Sequence, residues 1–250
     1  MYLCTKQNKE MSDDVSQSVS QRGNGAYDEE NLRIQEVSNE LQRLCRLHEE
    51  ESGNGKANGK HGAVSAIPSK LENCRVATCE DQRSTRFEIE QRAAEQYAKS
   101  AGIWIPMDNV FDLGIPGPSG NENDTYVSKD TIYKVNNLLN SGGICKLFGK
   151  VLLHNLLFPN TAYRLYGFTG YDGRTVMPVL EQERICEAQP ATQIMIDTYM
   201  SALGFVKDGN EAGRFSNNQY LVWDLVPRNV LVDKDGDMYV IDAEIARRNL

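Results

Sequence analysis

Paired cysteines, long apolar runs and a surplus of positive charge are all missing from this chain of 250 residues, and its first third is nearly free of aromatic rings. The six cysteines (Cys4, Cys45, Cys74, Cys79, Cys145, Cys186) form no Cys-x-x-Cys pair and stand near no histidine cluster, which argues against zinc. Cys74 and Cys79 are close enough in sequence to bridge or share a metal, but free thiols in a reducing compartment are the expected state. The longest apolar run, Val151 to Phe158, is interrupted by His154 and Asn155 and falls far below the roughly 20 residues that span a bilayer. Met1-Tyr2-Leu3-Cys4-Thr5-Lys6 opens no apolar segment with a small-residue cleavage site, so a soluble cytoplasmic protein with no membrane partner is expected. Lys and Arg number 27 against 35 Asp and Glu, a net charge of −8. The stretch to Glu80 (10 against 13) and the remainder (17 against 22) share that sign. Without a basic stripe to displace counterions from phosphates, nucleic acid is not an expected partner. Only Tyr2 and Tyr27 of the 20 aromatics precede residue 80, so the packed core is expected beyond it.

What is present divides the chain into four parts. Residues 1–26 are rich in Ser, Gln, Asn and Asp, a composition that buries too little apolar surface to offset ordering entropy, and are expected to be disordered. Over 27–51, Ile34, Val37, Leu41, Leu44 and His48 recur at helical spacing on a charged background, which predicts one amphipathic helix. Two heptads are too few for an isolated coiled coil, so the stripe is expected to dock on the main domain or on a partner. Residues 52–82, with Ser52-Gly53-Asn54-Gly55 at their start, read as a flexible linker. The domain proper is expected at 83–250. Thr85-Arg86-Phe87-Glu88 matches a capping box, with Phe87, Ala94, Tyr97, Ala98 and Ala101 as the apolar face and Gly102 as the stop. Strands are expected at 124–128, 131–135, 163–168 and 175–180, and a helix from about Gly143 to Phe158. A further helix is expected to open at Pro190, turn Ile194, Met195, Tyr199, Met200 and Leu203 inward and end at Gly204. That order of elements makes an α+β domain.

The densest local signal runs from Trp223 to Asp242. Asp235-Gly236 between two β-rich runs predicts a two-residue type I′ hairpin. In that register Lys234 faces Asp237, Val232 faces Tyr239, Val230 faces Ile241, and Asn229 comes opposite Asp242. An amide oxygen and a carboxylate then meet at the open end of an apolar ribbon, where they suit Mg²⁺ beside a phosphate, and Asp224 on the entering loop reaches the same place. Asp233-x-Asp235-Gly236-Asp237 mimics the start of a calcium loop, but its glycine falls too early and no glutamate holds the twelfth position. His48, His61 and His154 read as structural or solvated.

Asp224-Leu225-x-Pro227-x-Asn229 followed by Asp242 resembles the catalytic loop and metal-binding Asp of protein kinases. The phrases SGNENDTYVS, IYKVNN, HNLLFPNTAY, VLEQE and DLVPRNVLVDKDGDMYVIDAEI resemble the serine/threonine/tyrosine-kinase-like domain of polyvalent proteins from phages and mobile elements, from about residue 85 onward. The resemblance implies a reduced protein-kinase-like fold, with an antiparallel-sheet N-lobe at about 103–183 and a truncated helical C-lobe at about 184–250 that carries the metal-binding β-hairpin. It implies ATP and Mg²⁺ as cofactors, with Asp224 at the attacking hydroxyl and Arg228 on transition-state charge. Asn229 and Asp242 would bind the metal and Lys134 the α- and β-phosphates. Gly120, Asn121 and Glu122 would lie in the loop over the nucleotide, and Glu181 and Gln182 in the hinge that reads adenine.

Departures from the kinase pattern accompany these matches. Val222-Trp223 replaces His-Arg, and Asp242-Ala243-Glu244 replaces Asp-Phe-Gly. Residues 135–171 contain no Asp or Glu, which leaves Glu122, Glu88 or Glu95 as candidate partners for Lys134. Eight residues follow Asp242, so an activation segment and substrate-binding helices are expected to be absent. The leading expectation is an ATP- and Mg²⁺-dependent phosphotransferase acting on a protein hydroxyl. The alternatives are a nucleotide-binding pseudokinase that serves as an interaction module, and a small-molecule kinase, for which the sequence offers no acceptor-binding cap.

Overall fold

A computed structural model describes residues 24–54, 79–171 and 175–248, with side chains for 28–47, 86–171 and 175–248. The expected tail up to residue 23 and the linker over 55–78 lie outside the described residues, as do the side chains of His48 and His61. Helix α1 (Asn24–Asn54) extends a few residues past both ends of the predicted segment, and helix α2 (Cys79–Ser100) begins inside the expected linker. Thr85 therefore sits within α2 rather than capping it.

The stripe on α1 finds its cover within the chain. Ile34, Val37 and Leu41 pack with Ala94 and Ala98 of α2 and with Phe148 and Val151 of helix α3 (Ile144–Leu157). Against the same cluster lie Leu165 and Phe168 of strand β4 (Tyr163–Tyr171) and Val176 and Leu180 of β5 (Thr175–Glu183). Polar contacts set the register of this layer. Asn31 accepts from Asn155 Nδ2 on α3 at 2.9 Å, and Asn155 also receives Tyr163 N–H and donates to Tyr163 O, both at 2.8 Å. The free N-terminus of α3 is closed from another helix, because the buried Glu90 carboxylate of α2 accepts the N–H groups of Ile144 and Cys145 at 2.9 Å each.

β4 and β5 belong to a five-stranded antiparallel sheet, completed by β1 (Ile115–Pro116), β2 (Asn123–Val127) and β3 (Thr131–Asn136) in the order β1-β2-β3-β5-β4. A bulge between Leu165 and Gly167 shifts the β4 register where the backbone of residue 103 crosses over it. A Cβ at Gly167 would lie 2.5 Å from Ile103 O, so only glycine fits that crossing.

A second core holds Phe158, Ile196, Met200, Phe215, Val222, Leu225, Val230, Val240 and Ile245. Strands β6 (Ala188–Pro190), β10 (Val230–Asp233) and β11 (Met238–Val240) form one small sheet, ordered β11-β10-β6. Strands β7 (Val206–Lys207), β8 (Phe215–Ser216), β9 (Tyr220–Trp223) and β12 (Glu244–Arg247) form another, ordered β12-β9-β8-β7. Helix α4 (Gln193–Ala202) starts later than expected. Pro190 pairs with Leu231 as the end of β6, and Thr192 caps the helix by accepting Met195 N–H. The inward face is consequently Ile196, Tyr199 and Met200, while Ile194, Met195 and Leu203 are exposed.

The hairpin register also differs from expectation by one residue: Val230 pairs Val240, Leu231 pairs Tyr239, and Val232 pairs Met238. The connection is a three-residue loop, Lys234-Asp235-Gly236, with Gly236 at φ 89°. Asp233 decides this, because its Oδ1 accepts the N–H groups of Asp235 and Asp237 at 2.9 Å each and lengthens the turn. No helix among the described residues is long and apolar enough to cross a membrane.

Candidate active site

The two cores face each other across a cleft of about 1200 Å³. Its upper wall comes from the loop before β2, from β3 and from the end of β5; its lower wall comes from the segments around Asp224 and Asp242. Lys134, Asp224, Arg228, Asn229 and Asp242 all line it. So do Gly120, Asn121 and Glu122 of the loop, and Gln182. Glu181 does not: it alternates to the other face of β5 and pairs with Arg164 of β4 at 3.0 Å.

Lys134 is set by strand alternation. It lies on β3 opposite Leu180 of β5, its side chain is buried, and its ammonium is held in a triangle. Nζ donates to Tyr163 Oη at 2.8 Å and to Ile241 O at 2.9 Å, and Tyr163 Oη donates to the same carbonyl at 2.8 Å. Nζ also stands 4.7 Å from the Tyr163 ring centroid. Burial pulls the Lys134 pKa down and the Asp242 charge opposes that pull. Burial raises Tyr163 well above its usual value, so its hydroxyl keeps its proton and remains a donor. No carboxylate takes the place expected of Glu122, Glu88 or Glu95. Glu95 pairs with Lys99 at 2.6 Å, and Glu88 is exposed. Burial raises the pKa of Glu122, Lys150 opposes the rise, and Glu244 and Asp242 add to it.

Asp224 leaves β9 in the left-handed region, φ 61°, which aspartate tolerates better than most residues. Asn229 holds it there, donating from Nδ2 to Asp224 O at 2.8 Å and to Asp224 Oδ2 at 2.9 Å. Arg228 donates to the other carboxylate oxygen at 2.6 Å. The loop between β7 and β8 closes this corner: Leu225 N–H donates to Gly213 O at 3.1 Å, and Glu211 and Arg214 line the cleft beside Asp224. The carbonyl of Asn229 accepts both Ile241 N–H at 2.9 Å and Asp242 N–H at 3.4 Å. This tie brings Asn229 and Asp242 together in spite of the shifted hairpin register.

The donor set suits a hard cation only in part. Among the described residues no group of three His, Cys, Asp or Glu side chains is close enough to hold a metal ion. Asn229 spends its amide nitrogen on Asp224, which leaves its carbonyl oxygen for a cation beside the Asp242 carboxylate. Two protein oxygens could hold a hard cation that would take its other ligands from elsewhere, such as phosphate and water. Local sequence gave no sign of Asn140 or the Glu211–Arg214 loop in this cleft, nor of Tyr163 behind Lys134; Tyr163 reaches Lys134 from 29 residues away, through the pairing of β4, β5 and β3.

Residues 88–248, well over half the chain, match the family model described as the serine/threonine/tyrosine kinase found in polyvalent proteins. A search of the curated proteins found no match.

Proposed function

The chain belongs to the serine/threonine/tyrosine kinases found in polyvalent proteins, and from that premise we propose that its cleft binds ATP with Mg²⁺ and transfers the terminal phosphoryl group to a hydroxyl, most simply one on a protein. The observation that carries this reading is the meeting of Lys134, Asp224, Asn229 and Asp242 in one cleft although Lys134 is 90 or more residues from each of the others in sequence. Lys134 supplies a fixed positive charge for phosphate oxygens. Burial strengthens that charge's pull on a phosphate relative to a solvated lysine's, and the triangle with Tyr163 and Ile241 keeps it in place. Asn229 and Asp242 would hold the cation, which would supply neutralising charge to the phosphates. Asp224 orients the acceptor hydroxyl and takes its proton, Asn229 keeps that carboxylate aimed, and Arg228 is the cation nearest the charge that develops at transfer. The loop from Ser119 to Asn123 and the segment after Gln182 both line the cleft, where the first would cover the nucleotide and the second would border its adenine.

One observation favours a second reading, a pseudokinase that binds nucleotide without turnover. Arg228 and Asn229 already occupy both oxygens of Asp224, and the ammonium of Lys134 is held by a hydroxyl and a carbonyl rather than a carboxylate. Transfer of label from γ-labelled Mg-ATP to the protein or to a generic acceptor separates the two. The phosphotransferase reading expects labelling that Asp224→Ala lowers by at least about 100-fold; labelling equal in both proteins refutes it.

A further inference from the structure

Helix α3 contributes no carboxylate to Lys134, yet through a cation it meets a carboxylate that lines the cleft. Lys150 Nζ stands 2.7 Å from Glu244 Oε2, with both side chains about three-quarters buried (29% and 27% exposed). α3 is well placed to act as an anchor, since Glu90 closes its N-terminus and Asn155 ties it to Asn31 and to the Tyr163 backbone. Glu244 is the first residue of β12 and lies two residues beyond Asp242. It pairs with Trp223, the last residue of β9, so Asp224 and Asp242 leave the same end of one antiparallel ladder. A force applied at Glu244 therefore orients both aspartates. Glu122 of the loop above shares this surrounding: it feels Lys150, Glu244 and Asp242, and its Oε1 is buried with no hydrogen-bond partner among the described residues.

We infer that Lys150 and Glu244 are positioning residues, an ion pair that ties α3 to the ladder end carrying Asp224 and Asp242 and so holds the phosphate-facing carboxylates at their working distance from Lys134. The polarity is the reverse of the helix-glutamate to strand-lysine link of protein kinases, with the cation on the helix and the carboxylate on the metal-side segment. The tie deepens the nucleotide reading above and rests on it for its effect on ATP.

The test uses the full chain and two readouts. Lys150→Glu, Glu244→Lys and the double exchange of the two are compared with the unaltered protein, together with Lys150→Met, which keeps the aliphatic stem. The first readout is amide hydrogen exchange over residues 241–247 without nucleotide; the second is the Kd of Mg-ATP by calorimetry. Each single variant is expected to speed exchange and to raise the Mg-ATP Kd by about fivefold or more, with a smaller change for ATP in excess EDTA, and the double exchange is expected to recover both. Unchanged exchange over 241–247 overturns the inference, as does faster exchange with an unchanged Mg-ATP Kd, which would make the pair merely structural. An unaltered protein that binds no Mg-ATP refutes the nucleotide reading instead, and the exchange results with their recovery in the double variant then decide the tie alone.

Discussion

Replacing His154 with glutamine removes a pH-dependent loss of stability that the fold builds into the wall behind Lys134. His154 is almost fully buried. Its Nε2 lies 3.2 Å from both Thr161 O and Thr161 Oγ1, its ring is 4.8 Å from that of Tyr163, and its Nδ1 has no partner among the described residues. An imidazolium would place a second N–H against nothing, within reach of the Lys134 charge. Burial first and the Lys134 charge second push its pKa down to about 3 from an ordinary 6.5. The sign follows from linkage: above pH 6.5 both folded and unfolded forms are neutral, so no stability is lost. As the pH falls below 6.5 the unfolded chain takes up a proton that the folded chain refuses, and stability declines until about pH 3. Between pH 7 and pH 5 this single group costs about 2 kcal/mol, at about 1.4 kcal/mol per pH unit. Urea denaturation at pH 7, 6 and 5 measures it. Other titrating groups cancel in the difference between the two proteins, so the stability of His154→Gln relative to the unaltered protein should improve by about 2 kcal/mol from pH 7 to pH 5. Parallel curves would refute the reasoning and show that the imidazolium finds an acceptor in the fold.

Two further outcomes follow from packing and backbone geometry. Leu41→Ala empties a fully buried site between α1, α2 and α3 and should cost about 2–5 kcal/mol in urea denaturation. A loss under about 1 kcal/mol would mean that α1 is not part of the core. Gly213→Ala combines φ 77° with a Cβ 2.6 Å from Leu225 O, whereas Gly209→Ala, at φ 84°, meets nothing within 4 Å. The first should lower both stability and labelling through displacement of Leu225 beside Asp224, and the second should cost only about 1 kcal/mol for its positive φ; equal effects would remove the β7–β8 loop from the account.

What the sequence made legible was local. Ile34, Val37 and Leu41 reveal the buried face of α1 because helical spacing is a property of the segment itself, and the identity of the covering surface is not. Asp224, Asn229 and Asp242 lie within one loop and hairpin, so their nearness could be read from a turn signal even though the register was off by one. That error came from Asp233, whose side chain lengthens the turn by accepting two backbone N–H groups, a competition that β-propensity does not register. Pro190 misled for a related reason: its fixed φ suits the first turn of a helix and an edge strand alike, and pairing with Leu231 decided between them. The Tyr163–Lys134–Ile241 triangle and the Lys150–Glu244 pair join segments as much as 107 residues apart. Residue types alone carry no trace of such contacts. The missing glutamate was visible as an absence, but the hydroxyl and carbonyl that replace it were not.

Calorimetric titration with ATP, with and without Mg²⁺, on the unaltered protein and on Asp242→Ala tests the central claim most directly. A nucleotide site built on Lys134, Asn229 and Asp242 predicts Mg²⁺-dependent binding that falls by at least about tenfold in Asp242→Ala, equal to about 1.4 kcal/mol. ATP binding that is the same in both proteins and indifferent to Mg²⁺, or no binding to the unaltered protein, would contradict it.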